Sequence, residues 1–288
     1  MFYKYYKKSG VYTNSEVRKL GRSLGAKKVG HSGILDPLAQ GLVLVATDAD
    51  TRLLEFINFK NKKYIAKCKF GYFSDTLDTD AEQIYKLENP ALITKENLLI
   101  ALEKIKQLKE QLPPKYSAKK INGVRAYVYA RENKEVELKM QKIEILDASL
   151  IEFDAQKQEA TFAFDVSEGT YIRSLLRDIA NLCNTEMVMS YLKRDAVGLV
   201  KLEKLEPEQY SEISYDLIFD LSKFALNEKQ VLDLSFGREI KAFSANMTNL
   251  EKVLLINKST NLICAVGEFK NGRIYPKKVF PERLLWKK

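Results

Sequence analysis

Hydrophobic residues recur along this chain with two different periods, and together these predict a mixed α/β protein. From Tyr64 to Phe70 apolar side chains alternate with polar ones, which is typical of a half-buried strand. The run L-V-L-V-A (42–46) is apolar throughout and predicts a buried strand. The segment T-F-A-F-D-V (161–166) alternates again and predicts a third strand.

Three other segments have the spacing of an amphipathic helix. The first begins with T-N-S-E (13–16), which predicts a capping box, and Gly25 predicts its end. The second covers 94–108, and Pro113-Pro114 is expected to end that element. The third is the apolar helix 172–182, which follows a predicted strand.

Length and charge narrow the class of protein. The chain has 288 residues, 45% of them hydrophobic, which is enough for a catalytic domain and a small appended one. Its net charge of +9 favours a polyanionic partner such as nucleic acid, although a lysine-rich proteome would give the same excess. We find no apolar run long enough for a bilayer and no signal-type segment, so a cytoplasmic protein without membrane contact is expected.

Cysteine and histidine counts argue against several enzyme classes. Three cysteines without C-x-x-C spacing and a single histidine predict neither a disulfide framework nor a metal site. The acidic cluster Asp75, Asp78, Asp80 and Glu82 lacks the glycine and the final glutamate of a calcium loop, so we interpret it as a polar turn or an RNA-side structural motif. The chain also lacks phosphate-loop, dinucleotide and nucleophile-elbow motifs. Cofactor-free, carboxylate-based chemistry is therefore expected.

The segment G-H-S-G-I-L-D-P-L-A-Q-G (30–41) contains one carboxylate, Asp36, in a loop bounded by glycines. Gly33 and Gly41 permit backbone conformations that other residues avoid, and Pro37 restricts Asp36 to extended geometry. The loop therefore holds its carboxylate in place. An Asp before Pro is also a common turn former, and this alternative stays open on the motif alone.

Arg173 lies in the first turn of the predicted helix 172–182. A cation there opposes the helix macrodipole at a cost of about 0.3–1 kcal/mol. We therefore expect a carboxylate partner, although solvent could also screen the charge. Asp36 is the candidate, because a catalytic carboxylate needs a fixed cation to stay ionised and oriented.

Six blocks of the chain resemble the bacterial TruB-type tRNA pseudouridine synthases. The loop 30–41 is similar to the family pattern G-H-T-G-x-L-D-P-x-A-x-G. The other blocks are K-K-Y-I-A (62–66), F-G-Y-F-S-D-T-L-D-T-D-A-E (70–82), P-P-K-Y-S-A-K-K (113–120), G-T-Y-I-R-S-L (169–175) and Y-L-K-R-D-A-V-G (191–198). Because all six occur in order, the resemblance is more specific than any single motif.

The resemblance implies an α/β fold: a mixed, mainly antiparallel sheet flanked by helices. It implies a catalytic domain over 1–215, with an RNA-binding insertion at about 113–142, and a small β-barrel-like PUA domain over 216–288. One departure concerns the family segment K-P-x-G-x-[ST]-S, where residues 7–13 carry a lysine in place of the proline. The segment before it is aromatic and basic rather than aliphatic, which bears on the packing of the first strand.

The implied reaction is the isomerisation of uridine 55 in tRNA to pseudouridine, without a cofactor or metal. Asp36 is the essential carboxylate of the family; both addition to C1′ and removal of the 2′ proton to give a glycal stay open. Tyr64 is expected to lie against the base and help remove the C5 proton, and Arg173 to pair with Asp36. The alternative for Tyr64 is a core aromatic on an alternating strand.

The substrate must be flipped out of a folded T-loop, and three residues match family positions that fill the vacated space or line the pocket: His31, Tyr171 and Leu192. Basic residues of 115–142 and the C-terminal domain are expected to contact phosphates. We expect a monomer that needs no guide RNA. Two alternatives are a non-catalytic tRNA-binding or tRNA-folding protein on the same fold, and the guide-dependent, dyskerin-like branch of the superfamily.

Overall fold

The structure is a computed structural model that describes residues 1–121, 123–132, 134, 137–242 and 251–285. Contacts divide the chain into two compact units, Met1–Ile218 and Phe219–Lys288, three residues after the boundary predicted from the sequence. The predicted RNA-binding insertion falls partly on residues 122, 133, 135 and 136, which lie outside the described residues.

The strands of the first unit, in chain order, are β1 (Phe2–Lys7), β2 (Val29–His31), β3 (Gln40–Thr47), β4 (Lys62–Phe70), β5 (Tyr72–Phe73), β6 (Tyr85–Lys86), β7 (Glu110–Gln111), β8 (Lys120–Ile121), β9 (Val124–Arg125), β10 (Gln141–Lys142), β11 (Ile145–Asp154), β12 (Glu159–Val166), β13 (Met187–Val197), β14 (Val200–Lys201) and β15 (Tyr210–Ile213). Its α-helices are α1 (Thr13–Ser23), α2 (Lys95–Ile105), α3 (Ala126–Arg131) and α4 (Ile172–Leu182). Short 3₁₀ helices cover Asp48–Phe56 and Tyr215–Leu217.

One nine-stranded sheet organises the first unit, with the order β11-β12-β4-β13-β3-β1-β15 and with β14 and β2 attached to β13 and β3. Strands β13 and β3 are parallel, whereas the other neighbours in this sheet are antiparallel. The predicted fold class, a mixed and mainly antiparallel sheet flanked by helices, is therefore confirmed.

The parallel contact between β13 and β3 is short. It pairs Lys193 with Gln40 and Arg194 with Gly41. A Cβ at Gly41, whose φ is +115°, would lie 2.3 Å from the backbone oxygen of Arg194, so only glycine allows the two strands to approach this closely. Two sub-sheets therefore join at this point, directly beside the loop that carries Asp36.

The apolar patterns predicted the main elements correctly. Strands β3, β4 and β12 and helix α4 coincide with predicted segments, and their inward-facing residues share one core cluster with α1 and α2. Helix α4 packs against β4 and β13. Its apolar stripe, from Ile172 to Ile179, covers the face of the sheet near the Asp36 loop.

Two helix-end predictions were wrong. Helix α1 forms, but its N-cap is Tyr12, which makes no side-chain capping bond, because the Thr13 and Glu16 side chains bond elsewhere. Glu16 accepts a hydrogen bond of 2.5 Å from the Tyr5 hydroxyl. Helix α2 ends at Ile105, well before Pro113, and it has a capping box that we did not predict, between Thr94 and Asn97.

The aromatic and basic first strand packs inside the sheet. Strand β1 pairs with β3 on one side and β15 on the other. Phe2, Tyr5 and Tyr6 are buried, and so is Lys7, whose side chain is fully covered. The aromatic side chains of β1 thus bury the apolar surface that aliphatic side chains would bury in the family pattern. The Lys7 side chain contacts the neighbouring loop.

The second unit has its own sheet and core. Its strands are β16 (Ser222–Leu226), β17 (Ile240–Lys241), β18 (Lys252–Asn257), β19 (Leu262–Lys270) and β20 (Arg273–Val279), in the order β16-β18-β19-β20-β17. Helix α5 (Glu228–Ser235) packs against β16 and β17, and a 3₁₀ helix covers Pro281–Arg283. This small, mainly β unit matches the predicted class of the C-terminal domain.

Candidate active site

Helix α1 fixes the loop that carries Asp36 through one buried hydroxyl. The Thr13 hydroxyl donates to the backbone oxygen of Leu35 at 2.8 Å and accepts from the Leu35 backbone N–H at 3.0 Å. Both backbone groups next to Asp36 are therefore satisfied by a single side chain. This explains why Thr13 does not cap its own helix.

The Lys7 ammonium fixes the other side of the same loop. It donates to the backbone oxygens of Asp36 at 3.1 Å, Pro37 at 3.2 Å and Ala39 at 2.5 Å. Burial lowers the pKa of Lys7 to about 8, and the nearby Asp36 carboxylate opposes this shift. Hydrogen bonds from Lys7 and Thr13 thus hold the backbone of this loop on both sides.

Arg173 contacts Asp36. Its Nε lies 2.9 Å from Asp36 Oδ2, and its side chain is 4% exposed against 34% for Asp36. The other two nitrogens donate to backbone oxygens, Nη1 to Thr76 at 2.7 Å and Nη2 to Tyr116 at 2.9 Å. Arginine is therefore the buried partner of the pair, and three separate segments determine where its planar guanidinium lies.

Asp78 is a second carboxylate beside this guanidinium, and the sequence did not single it out. Its Oδ2 lies 3.7 Å from Arg173 Nη1, and its Oδ1 accepts a hydrogen bond of 2.6 Å from the Thr76 hydroxyl. Burial raises the pKa of Asp78, while Thr76 and Arg173 act in the opposite direction. Asp75 and Asp80 of the same cluster are exposed, so Asp78 differs from them in its burial as well as in its contact with Arg173.

Most of the predicted site residues line one cavity of about 490 Å³. Its wall includes His31, Asp36, Tyr64, Tyr171 and Leu192. Arg173 lines a neighbouring cavity of about 610 Å³, whose wall also includes Asp36. Asp36 is thus shared by the two cavities, and its Oδ1 makes no hydrogen bond within the described part of the chain.

Tyr64 and Leu192 come from the two central strands β4 and β13. Their side chains are 7% and 5% exposed, so each is mostly enclosed and presents a small surface to the cavity. The register places Tyr64 opposite Arg194. The phenol of Tyr64 and the apolar side chain of Leu192 are together suited to hold a flat, uncharged ring.

His31 and Tyr171 also line this cavity. His31 Nδ1 accepts from the Gly33 backbone N–H at 3.3 Å, which assigns the proton to Nε2, 2.9 Å from Asn14 Oδ1. Burial, followed by the charge of Arg194, lowers the pKa of His31 and favours the neutral ring. Tyr171, the N-cap of α4, has its backbone held by the Gln111 amide, and burial raises its pKa.

The predicted insertion supplies part of the larger cavity. Arg125, Tyr127 and Arg131 line it, and the Arg131 guanidinium lies 5.5 Å from the centre of the Tyr127 ring. Two cations and an aromatic ring are a suitable surface for a nucleic-acid strand. Within the described ranges, no group of three or more His, Cys, Asp or Glu side chains is arranged to hold a metal ion, and no helix is long and apolar enough to span a membrane.

Residues 21–172 match the family model described as TruB family pseudouridylate synthase, N-terminal domain. A protein of Mesomycoplasma hyopneumoniae named tRNA pseudouridine synthase B is 36% identical over 283 residues, which cover 97% of this chain and 82% of the relative. Another of that name, from Mycoplasma mobile, is 39% identical over 77% of this chain and 76% of the relative.

Among solved structures, a chain of a Cbf5-Nop10-Gar1 complex superposes with a TM-score of 0.68, covering 98% of this chain and 86% of that one. A chain of an archaeal box H/ACA Nop10-Cbf5 complex superposes with a TM-score of 0.64. Both are 17% identical, so they establish the shared fold alone. The family model and the sequence relatives together show that this chain belongs to the TruB family of pseudouridine synthases.

Proposed function

We propose that this protein isomerises uridine 55 in the T-loop of tRNA to pseudouridine, with Asp36 as the essential carboxylate. The observation that carries the proposal is the position of the Asp36 carboxylate. It lies in a loop held by hydrogen bonds, pairs with the buried Arg173 and lines two cavities. Membership of the TruB family and relatives named tRNA pseudouridine synthase B support tRNA as the substrate.

The reaction is an isomerisation, so atoms and electrons balance without an added reactant. The bond from N1 to C1′ breaks, the base turns, and a bond forms between C5 and C1′. C5 loses its proton and N1 gains one. A carboxylate can serve either route, by adding to C1′ or by taking the 2′ proton to form a glycal.

The neighbouring residues support this role. Arg173 holds one carboxylate oxygen of Asp36, which leaves the other oxygen for the sugar. Tyr64 and Leu192 enclose the base, and Tyr64 assists loss of the C5 proton. His31 and Tyr171 contact RNA that borders the flipped nucleotide.

Binding of tRNA is assigned to three basic regions: the cavity rim with Arg125 and Arg131, the remaining lysines of the insertion, and the second unit, 219–288. We propose a cytoplasmic monomer that acts without a guide RNA, because the catalytic groups and the basic surface all belong to one chain. Removal of 219–288 is expected to weaken tRNA binding more than it slows the bound-state reaction. Titration of tRNA and single-turnover rates at saturating enzyme separate these effects.

Asp36→Asn tests the proposal. It should lower turnover by about 10⁴-fold or more, with little change in tRNA affinity, because the essential carboxylate is replaced by an uncharged amide of nearly the same volume. Tritium release from C5-labelled tRNA measures the rate. Asp75→Asn, an exposed carboxylate of the acidic cluster, is the matched control and should retain full activity. More than a tenth of wild-type activity in Asp36→Asn would refute the assignment.

The same assay separates the two alternatives. A purely tRNA-binding protein on this fold would release no tritium, and a guide-dependent enzyme would release it only with added RNA and protein partners. Pure protein and an unmodified tRNA transcript are expected to be sufficient.

A further inference from the structure

Two cations lie side by side in the 490 Å³ cavity, and neither forms an ion pair within the described part of the chain. Arg194 is 1% exposed. Its Nε donates to the backbone oxygen of Leu42 at 2.7 Å and its Nη2 to that of Gly33 at 3.2 Å, both uncharged acceptors. Lys62 lines the same cavity, on the neighbouring strand.

This arrangement is unfavourable in the protein alone. Burial of a guanidinium without an opposite charge is costly, and a second cation beside it adds repulsion. Burial lowers the pKa of Lys62 to about 8; Arg194 and Lys60 lower it further, and Glu168 acts in the opposite direction. Glu168 is itself paired with Lys60, at 3.2 Å. An anion placed between Lys62 and Arg194 would therefore relieve a charge imbalance.

The two cations border one point on the wall of this cavity, beside Gly33. A Cβ built on Gly33 would lie 3.6 Å from Lys62 Nζ and 3.7 Å from Arg194 Nη1. Arg194 Nη1 is the guanidinium nitrogen that makes neither of the hydrogen bonds to Leu42 and Gly33. The absent side chain of Gly33 thus leaves a gap of about one methyl group on the cavity wall, and the two nitrogen donors border it.

The gap is also close to the proposed reaction centre. Lys62 and Tyr64 are two residues apart on β4 and therefore share a face, and Arg194 and Leu192 share a face of β13 in the same way. In the sheet register Arg194 is directly opposite Tyr64. An anion bound here would lie beside the Tyr64 ring, which we propose contacts the base of the substrate.

We propose that Lys62 and Arg194 bind a backbone phosphate on one side of the uridine that is isomerised. The inference rests on the proposed function, which makes the occupant an RNA strand. A flipped nucleotide brings its own 5′ and 3′ phosphates with it, and both cations can donate to one non-bridging oxygen. Binding would position the ribose relative to Asp36, so Lys62 and Arg194 are positioning residues for C1′.

The test is a thermodynamic cycle that combines replacement of the Lys62 side chain with neutralisation of one RNA phosphate. RNA hairpins with the T-arm sequence carry a single uncharged methylphosphonate at each position around the uridine, and their dissociation constants are measured in an Asp36→Asn background, where the RNA is not consumed. With Lys62 present, one flanking methylphosphonate should weaken binding about tenfold. In Lys62→Met the same replacement should change affinity less than twofold.

Matched variants separate this effect from a structural one. Lys63→Met is the control, because Lys63 is exposed on the other face of β4 and pairs with Asp165 at 3.2 Å. It should keep the full methylphosphonate sensitivity, as should Lys62→Arg. Lys62→Met should also reduce the slope of log affinity against log salt by about 0.7–0.9, the value for one phosphate contact.

The inference is overturned if no flanking phosphate shows coupling to Lys62, or if Lys62→Met and Lys63→Met have the same salt slope. These readouts measure binding alone. If Asp36→Asn abolishes turnover while the coupling is absent, only the phosphate site is refuted. If Asp36→Asn retains turnover, the proposed function fails independently of the binding data.

Discussion

Replacement of Arg173 by lysine tests whether the reaction needs a fixed guanidinium or only a positive charge. The guanidinium makes three contacts at once, to the Asp36 carboxylate and to the backbone oxygens of Thr76 and Tyr116. A lysine ammonium occupies a single point at the end of a flexible chain, so it cannot hold all three. At least one buried acceptor therefore loses its partner.

The expected magnitude follows from these contacts. One hydrogen bond to a charged group contributes about 1.5–3 kcal/mol. We therefore expect Arg173→Lys to lose about 1–3 kcal/mol of transition-state stabilisation, which is roughly a 5- to 150-fold lower rate. Arg173→Ala should be worse, because it also leaves Asp78 buried without its cation, and breaking a buried pair costs about 3–5 kcal/mol.

The assay is the single-turnover rate of pseudouridine formation on a T-arm transcript at saturating enzyme. Arg177→Lys is the matched control: it lies one turn later on α4 and bonds to Asp178 and to the Leu112 backbone. In an Asp36→Ala background, Arg173→Ala should have almost no effect on the residual rate, because the effects of substituting two residues that act as a unit are not additive. A wild-type rate for Arg173→Lys would refute the reasoning.

Three further predictions concern the surroundings of the site. Thr13→Val should lower the free energy of unfolding, measured by urea titration, by about 2–4 kcal/mol, because it leaves both backbone groups of Leu35 unpaired. A loss below about 0.5 kcal/mol would contradict this. Gly41→Ala should lower the melting temperature far more than Gly25→Ala. The methyl group added at position 41 would lie 2.3 Å from the β13 backbone, whereas the methyl group added at position 25 would enter open space. Equal shifts would show that β3 can move. Finally, burial lowers the pKa of Lys62 from its usual 10.5 to about 8 in the folded protein, so the unfolded chain binds more protons between these values and stability should rise with pH across that window. Lys62→Met should show a smaller rise than the wild type, because Lys7, whose pKa is also lowered to about 8, still contributes. Parallel stability curves for the two proteins would disprove this.

The sequence predicted those parts of the fold that a periodic pattern specifies. Strands β3, β4 and β12 and helix α4 each bury one clear apolar face, and the pattern alone locates them. The contact between Asp36 and Arg173 was also expected, because a cation in a first helical turn needs an anion. Their catalytic roles remain predictions.

The wrong or missing predictions share one physical cause. Contacts between residues distant in sequence decided the positions of these side chains, and local sequence patterns do not show such contacts. Thr13 has the spacing of a capping residue, yet its hydroxyl bonds to Leu35, which is distant in sequence. Asp78 sits among exposed carboxylates of similar spacing, and only the folded chain brings Arg173 to it. Likewise, no local pattern shows that Lys62 lies beside Arg194.

The short parallel contact between β3 and β13 has a consequence for protein synthesis. The loop with Asp36 precedes β3, whereas Leu192 and Arg194 belong to β13, about 160 residues later. At 5–20 residues per second, a ribosome needs roughly 8 to 30 s to make the intervening chain. For most of that interval a nascent chain carries the carboxylate without Arg173, and for all of it the second wall of the cavity is incomplete. Chain order thus delays the assembly of a competent site until nearly all of the first unit has been translated.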